Sequence, residues 1–195
     1  MRRVEMEGWR LALTALGIAL LAPLLAPTTA WASTVLRLGP DQLTDRAEVI
    51  VHAKVLAKQA RLHENGAVVT EYRLEVKEFL KGGRGQTFTF TTYGGVLGER
   101  GSAIAGSPDF EPGEEVLVFL DKINRAGLRA VIGLAQGKYT VREVDGERLA
   151  FRDLEGLMLK DPDSGEVEEA KPEQGVPFKE LLGRVKRRLA REPGK

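Results

Sequence analysis

Glu99, Asp109, Glu111 and Glu114 fall within one glycine-rich stretch, YGGVLGERGSAIAGSPDFEPGEE, running from Tyr93 to Glu115. Two carboxyl groups facing each other across a cleft can serve as general acid and general base. On that chemistry the chain reads as a cell-envelope hydrolase or carbohydrate-active protein. The six glycines of the stretch suggest a second chemistry, a cradle for phosphate. A phosphate loop needs a lysine followed by serine or threonine at a helix start, and the dinucleotide fingerprint needs a strand–turn–helix unit. Neither accompanies Gly101-Ser102 or Gly106-Ser107, and the segment after Gly113 reads as a strand. The stretch is then a long crossover between strands, a kind of connection that often carries binding residues.

Other chemistries find less support. His52 lies within a strand and His63 in the polar turn RLHENG; both read as exposed or semi-exposed. Neither has a second histidine within one helical turn, so no zinc set forms. DPDSGE (Asp161 to Glu166) begins like a calcium loop but lacks the required glycine and glutamate further on, and reads as a hairpin turn. There is no G-x-S-x-G elbow and no cysteine to act as nucleophile. No cofactor or metal is implied. The reading preferred over hydrolysis is a non-catalytic binding surface made by the crossover and the turn GLAQGKY (Gly133 to Tyr139). Its candidate residues are Tyr93, Gly94, Gly95, Phe110, Gln136 and Tyr139, the aromatics serving as interface anchors.

The elements that must position these residues show mainly two-residue alternation. VIVHAKVLA places Val49, Val51, Ala53, Val55 and Ala57 on one side. VVTEYRLEVKEF places Tyr72, Leu74 and Val76 on one face, then slips by one residue before Phe79, as a bulge would. QTFTFTT suits a half-buried strand, and EVLVFL, almost wholly apolar, a central one. LRAVIG, KYTVREV and RLAF read as further strands. GPDQLTDRAE predicts a short helix with Pro40 in its first turn and Leu43 and Ala47 facing inward. PFKELLGRVKRRLAR predicts an amphipathic helix with Phe178, Leu181, Leu182, Val185 and Leu189 in one stripe. The class is all-β and mainly antiparallel: a small OB-like barrel with one short helix at each end.

Arg2, Arg3 and Arg10 precede an uncharged run from Leu11 to Ala32 that ends in Ala30-Trp31-Ala32. That is the pattern of a cleaved signal peptide over 1–32, with a membrane anchor as the alternative. The remainder divides into a barrel domain (33–160), a hairpin turn and linker (161–176) and the terminal helix (177–195). An exported chain without cysteine fits the bacterial periplasm or medium, and must rely on its apolar core. Residues 33–195 carry 26 basic and 26 acidic side chains, which gives no general attraction to nucleic acid. Lys179 to Lys195 is nevertheless +5. A basic amphipathic helix can lie on anionic lipid, but its apolar stripe is better used covering the barrel.

RAEVIVHAKV, YRLEVKEFLKG, YGG, GSPDFEPGEEVLVFL and GLAQGKYTV together resemble a widespread, uncharacterised family of exported bacterial proteins, over roughly Asp45 to Val141. The first half is also similar to the netrin-like module, an OB-type five-stranded barrel of metalloproteinase inhibitors and extracellular binding proteins. That resemblance implies a small barrel that binds a protein partner, a protease among the candidates, and catalyses nothing. The inhibitors chelate the protease zinc with an N-terminal cysteine; here Ser33 would be the first residue, so the fold carries over without that ligand.

Overall fold

The alternating segments pair into one seven-stranded antiparallel sheet, flanked by two smaller ones. The computed structural model describes residues 33–191; the signal-peptide reading and residues 192–195 of the terminal-helix reading lie outside them. The first half holds β1 (Ser33–Leu36), α1 (Pro40–Arg46), β2 (Val49–Leu62), β3 (Val68–Lys81), β4 (Thr87–Tyr93), β5 (Gly95–Leu97) and β6 (Arg100–Ser102). The second holds β7 (Glu115–Leu120), a 3-10 turn (Leu134–Gly137), β8 (Lys138–Val144), β9 (Glu147–Phe151), β10 (Leu157–Lys160), β11 (Val167–Glu169), β12 (Val176–Pro177) and α2 (Phe178–Arg191). The main sheet runs β12-β9-β8-β7-β2-β3-β4. β1 pairs in parallel with β10, which pairs with β11, and β5 pairs with β6.

EVLVFL is almost continuously apolar because β7 is the middle strand and is covered on both faces. Leu117 and Phe119 point to one core with Ile50, Tyr139 and Val141, while Val116, Val118 and Leu120 point to the other with Val51, Leu74 and Phe90. The first core is closed by the helices: Leu43 and Ala47 from the α1 side, and Phe178, Leu181 and Val185 from α2. Burying each of those large α2 side chains contributes about 1.5–3 kcal/mol. Gln42 Oε1 accepts the Gly39 N–H at 2.6 Å and so caps α1. Arg184 grips Asp41 with two bonds (2.8 and 3.0 Å) and Arg188 grips Asp45 likewise (2.6 and 2.7 Å), fastening the helices together.

The slip after Val76 is a bulge: His52 pairs with Glu78 and Ala53 with Val76, leaving Lys77 unpaired. A second irregularity has no signal in the sequence. Val55 pairs with Leu74 and Ala57 with Arg73, so Leu56 has no partner. Beyond it the faces exchange. Ala57 therefore joins Arg73 on the outer face rather than the row of Val49 to Val55, and Lys58 and Ala60 turn inward opposite Tyr72 and Thr70.

Two expectations need correction. LRAVIG is no strand: it returns beside β7 through one bridge, Leu120 to Val131, and the bonds Asp121 N–H to Ala130 O (2.9 Å) and Ile132 N–H to Phe119 O (3.0 Å). Nor do the strand pairings close the sheet, which ends at β12 and β4. A single backbone bond, Arg129 N–H to Thr91 O at 2.9 Å, joins the β4 edge to that returning segment. DPDSGE forms the expected turn, with the N–H groups of Asp163 and Ser164 both donating to Asp161 Oδ1 at 2.9 Å. The segment read as turn and linker also contains the short strand β11, and β1 has no counterpart in the sequence reading.

Candidate functional site: a cleft under the glycine-rich crossover

β4 ends at Tyr93 because the next two residues bend the chain back over the sheet. Gly94 and Gly95 have φ of 99° and 135°, and a Cβ on Gly95 would lie 2.3 Å from Thr70 Oγ1. Only glycine permits so close a passage. Thr70 Oγ1 donates to Gly94 O at 2.7 Å and holds the bend. The β5–β6 hairpin then lies against the inner face of β2 and β3, leaving an open cleft of about 680 Å³ between them. Tyr93, Gly94, Gly95, Val96 and Ile104 border it, and Lys58, Ala60, Tyr72 and Asp109 contribute from within. Tyr93, Val96 and Ile104 are 37%, 74% and 45% exposed, a high value for apolar side chains grouped at one opening.

The polar end of the cleft is a closed network. Asp109 Oδ1 accepts the Tyr72 hydroxyl at 2.9 Å and the Phe110 N–H at 2.8 Å. Asp109 Oδ2 accepts Lys58 Nζ at 2.9 Å, and Lys58 also bonds Glu111. Burial by itself would raise the Asp109 pKa; Lys58, the Phe110 amide and Tyr72 outweigh it and hold the carboxyl below its usual range. The same bonds to Glu111 and Asp109 raise Lys58 above the ordinary lysine value. Burial, then the Asp109 charge, push Tyr72 upward, so its phenol stays a donor. Glu114 accepts Lys138 at 2.8 Å and the Glu111 N–H at 3.0 Å. Asp109, Glu111, Glu114 and Lys138 also border a neighbouring groove of about 480 Å³, with Asp153 and Glu155 on its far side. Glu99 stands apart, in the turn between β5 and β6.

The structure divides the six residues singled out from the sequence. Tyr93, Gly94 and Gly95 border the cleft. Phe110, Gln136 and Tyr139 are interior, at 0%, 1% and 3% exposure. Phe110 fills the second core, its ring 4.8 Å from Tyr72 and 5.5 Å from Phe90, with Lys138 Nζ 4.9 Å from its centre. Gln136 accepts the Leu38 N–H (2.8 Å) and donates to Leu36 O (2.9 Å) and Gly133 O (3.1 Å), pinning the β1–α1 connection. Tyr139 packs between Phe119 and the Arg152 guanidinium. The expectation of surface aromatics fails at Phe110 and Tyr139 because polar neighbours in sequence conceal long-range packing. Lys58 and Ala60 escape the sequence reading because the Leu56 irregularity reverses the faces of β2; Tyr72 is read there only as part of the β3 face.

His52 also requires correction. It is buried at 7% exposure, donates Nε2–H to Glu115 Oε1 at 2.6 Å, and packs on Phe178. His63 bonds Ala126 O at 2.9 Å. Among the described residues no three His, Cys, Asp or Glu side chains group as a metal site. No helix among them is long and apolar enough to cross a membrane.

The described residues thus define a mostly β, antiparallel fold with two helices, carrying a cleft under a glycine-rich crossover. No protein-family model matches the chain, and no curated protein matches it significantly.

Proposed function

We propose that this chain is an exported, non-catalytic binding module that recognises a protein partner in the periplasm or medium, a protease among the candidates, through the Tyr93–Ile104 cleft. The observation that carries the reading is the exposure of Tyr93, Val96 and Ile104 around one concave site. Apolar and aromatic side chains around a concavity, with polar groups already satisfied beneath, are what a protein anchor requires. The β2–β3–β4 meander, nearly joined to the β7 return by the Arg129–Thr91 bond, supports kinship with the OB-like, netrin-like barrel as an open relative of it.

Two other readings lose support on particular residues. Acid catalysis by Asp109 needs a carboxyl that keeps its proton near neutral pH, whereas Asp109 is held low, and Asp109 and Glu111 are both tied to Lys58 rather than left facing a cleft. Contact of α2 with a lipid surface would rest on Lys179, Arg187 and Arg191, since Arg184, Lys186 and Arg188 are engaged by Asp41, Glu78 and Asp45.

The test compares envelope proteins cross-linked to the wild type and to a Tyr93→Ser/Ile104→Ser variant whose circular dichroism is unchanged. Partners lost only from the variant support the cleft; an identical captured set refutes it. N-terminal sequencing of protein recovered from the producing cell tests export, since a chain that begins at Met1 contradicts cleavage before Ser33.

A further inference from the structure

A junction between α2 and the sheet holds the one buried titratable imidazole of the described residues. His52 of β2 donates to Glu115 Oε1, and its ring lies 4.8 Å from that of Phe178, the first residue of α2. Glu115 is shared three ways: Arg148 of β9 reaches the same oxygen, and Lys77, the bulged residue of β3, reaches Oε2. The Arg148 guanidinium also covers Phe178, 4.9 Å from its ring centre. Phe178 therefore touches both an imidazole and a guanidinium that are bound to one carboxylate. The charged groups facing His52 are Glu115 from β7, Lys77 and the cross-strand partner Glu78 from β3, and Arg148 from β9; α2 presents the uncharged Phe178 and, bound to Glu78, Lys186.

We propose that this junction is a proton-operated latch on the first turn of α2, in which protonation of His52 releases Phe178 and opens residues 178–182 while the later turns stay docked.

In the docked state an imidazolium would be largely shielded from water beside two cations, with the Glu115 carboxylate already divided between them and Glu78 taken up by Lys186. Lifting Phe178 admits water to the ring. The opened state therefore binds the proton more tightly, and acid shifts the population toward it. Burial, the largest influence, acts with Lys77 and Arg148 to lower the His52 pKa, outweighing the attraction of Glu115. Docking is accordingly at full strength above the ordinary histidine pKa of about 6.5 and is lost as pH falls from there toward the lower docked value. The later turns are held by Arg184–Asp41 and Arg188–Asp45. Arg184 keeps the Asp41 carboxyl below its usual range, so that pair stays charged throughout.

The test is hydrogen exchange of the full chain at pH 7.5 and 5.0, corrected for intrinsic rates. The expected result is a loss of protection of at least about fivefold at Leu181 and Leu182, whose amides make the first helical bonds, with 184–191 and β7 unchanged. His52→Gln keeps an N–H donor toward Glu115 but does not titrate, and abolishes the pH dependence. Equal protection of Leu181 and Leu182 at both pH values, or the same acid loss in His52→Gln, overturns the proposal. Should that variant not fold, an NMR titration of the wild type decides. A His52 midpoint below 6.5 with loss of the Phe178 contact supports the latch; a higher midpoint, or an unchanged contact, overturns it.

Discussion

Replacing Phe110 by alanine should release the crossover from the sheet and dismantle the cleft. Phe110 is fully buried, with Tyr72, Phe90 and Lys138 around its ring. The crossover is tied at its far end by Gly113 N–H to Val55 O and Val55 N–H to Glu114 O, both at 2.8 Å, and earlier by Ala135 N–H to Gly106 O at 2.9 Å. Between these ties the restraints are Phe110, the Lys58 ion pairs, and the bonds from the Tyr72 hydroxyl and Lys138 to Asp109. Asp109 and Glu111 are 62% and 60% exposed in those pairs, so each contributes about 1 kcal/mol or less. Truncating a buried phenylalanine removes about 3–5 kcal/mol. A domain of this size has only about 5–15 kcal/mol in all, so the melting temperature should fall by roughly 10 °C. Urea unfolding of Phe110→Ala, Phe110→Leu and Lys58→Met measures the contributions, and limited proteolysis between Tyr93 and Glu115 reports release of the crossover. A Phe110→Ala loss below about 1 kcal/mol, or a larger one for Lys58→Met, would refute the view that the ring rather than the ion pairs holds the crossover.

Gly95→Ala should destabilise by about 1–3 kcal/mol, because its φ is 135° and the new Cβ meets Thr70 Oγ1; thermal melts would show it. Arg184→Ala should lose only about 0.2–1 kcal/mol in urea, since it and Asp41 are half exposed. Glu115 has its pKa lowered, burial opposing and Lys77 and His52 prevailing, so its stabilisation exists above the ordinary carboxylate range and disappears as pH falls through its depressed value. Glu115→Gln should accordingly flatten the stability profile below pH 4.5, measured by urea midpoints across acid pH.

How much the sequence discloses depends on the range of the forces involved. Alternation in QTFTFTT and KYTVREV reports a face against a core, and it locates β4 and β8. Pro40 and the Phe178–Val185 stripe locate both helices for the same local reason. LRAVIG alternates as well, but a strand also needs a neighbour to pair with, and there the edge of β4 offers one bond. β1 exists through its parallel partner β10, more than a hundred residues away, which no local pattern announces. Half of the cleft is legible because Gly94 and Gly95 mark their own bend. The other half is not, because the unpaired Leu56 changes which of Ala57 and Lys58 faces inward, and nothing in VLAKQA signals it.

The position of β7 governs how the chain must assemble. As the chain emerges N-terminus first, the β2–β3–β4 meander precedes residues 115–120, so the inner edge of β2 waits open for its partner. Until that partner is delivered across the glycine-rich crossover, the nascent chain presents an unzipped seam and two bare greasy surfaces, the circumstances in which intermediates stick to one another.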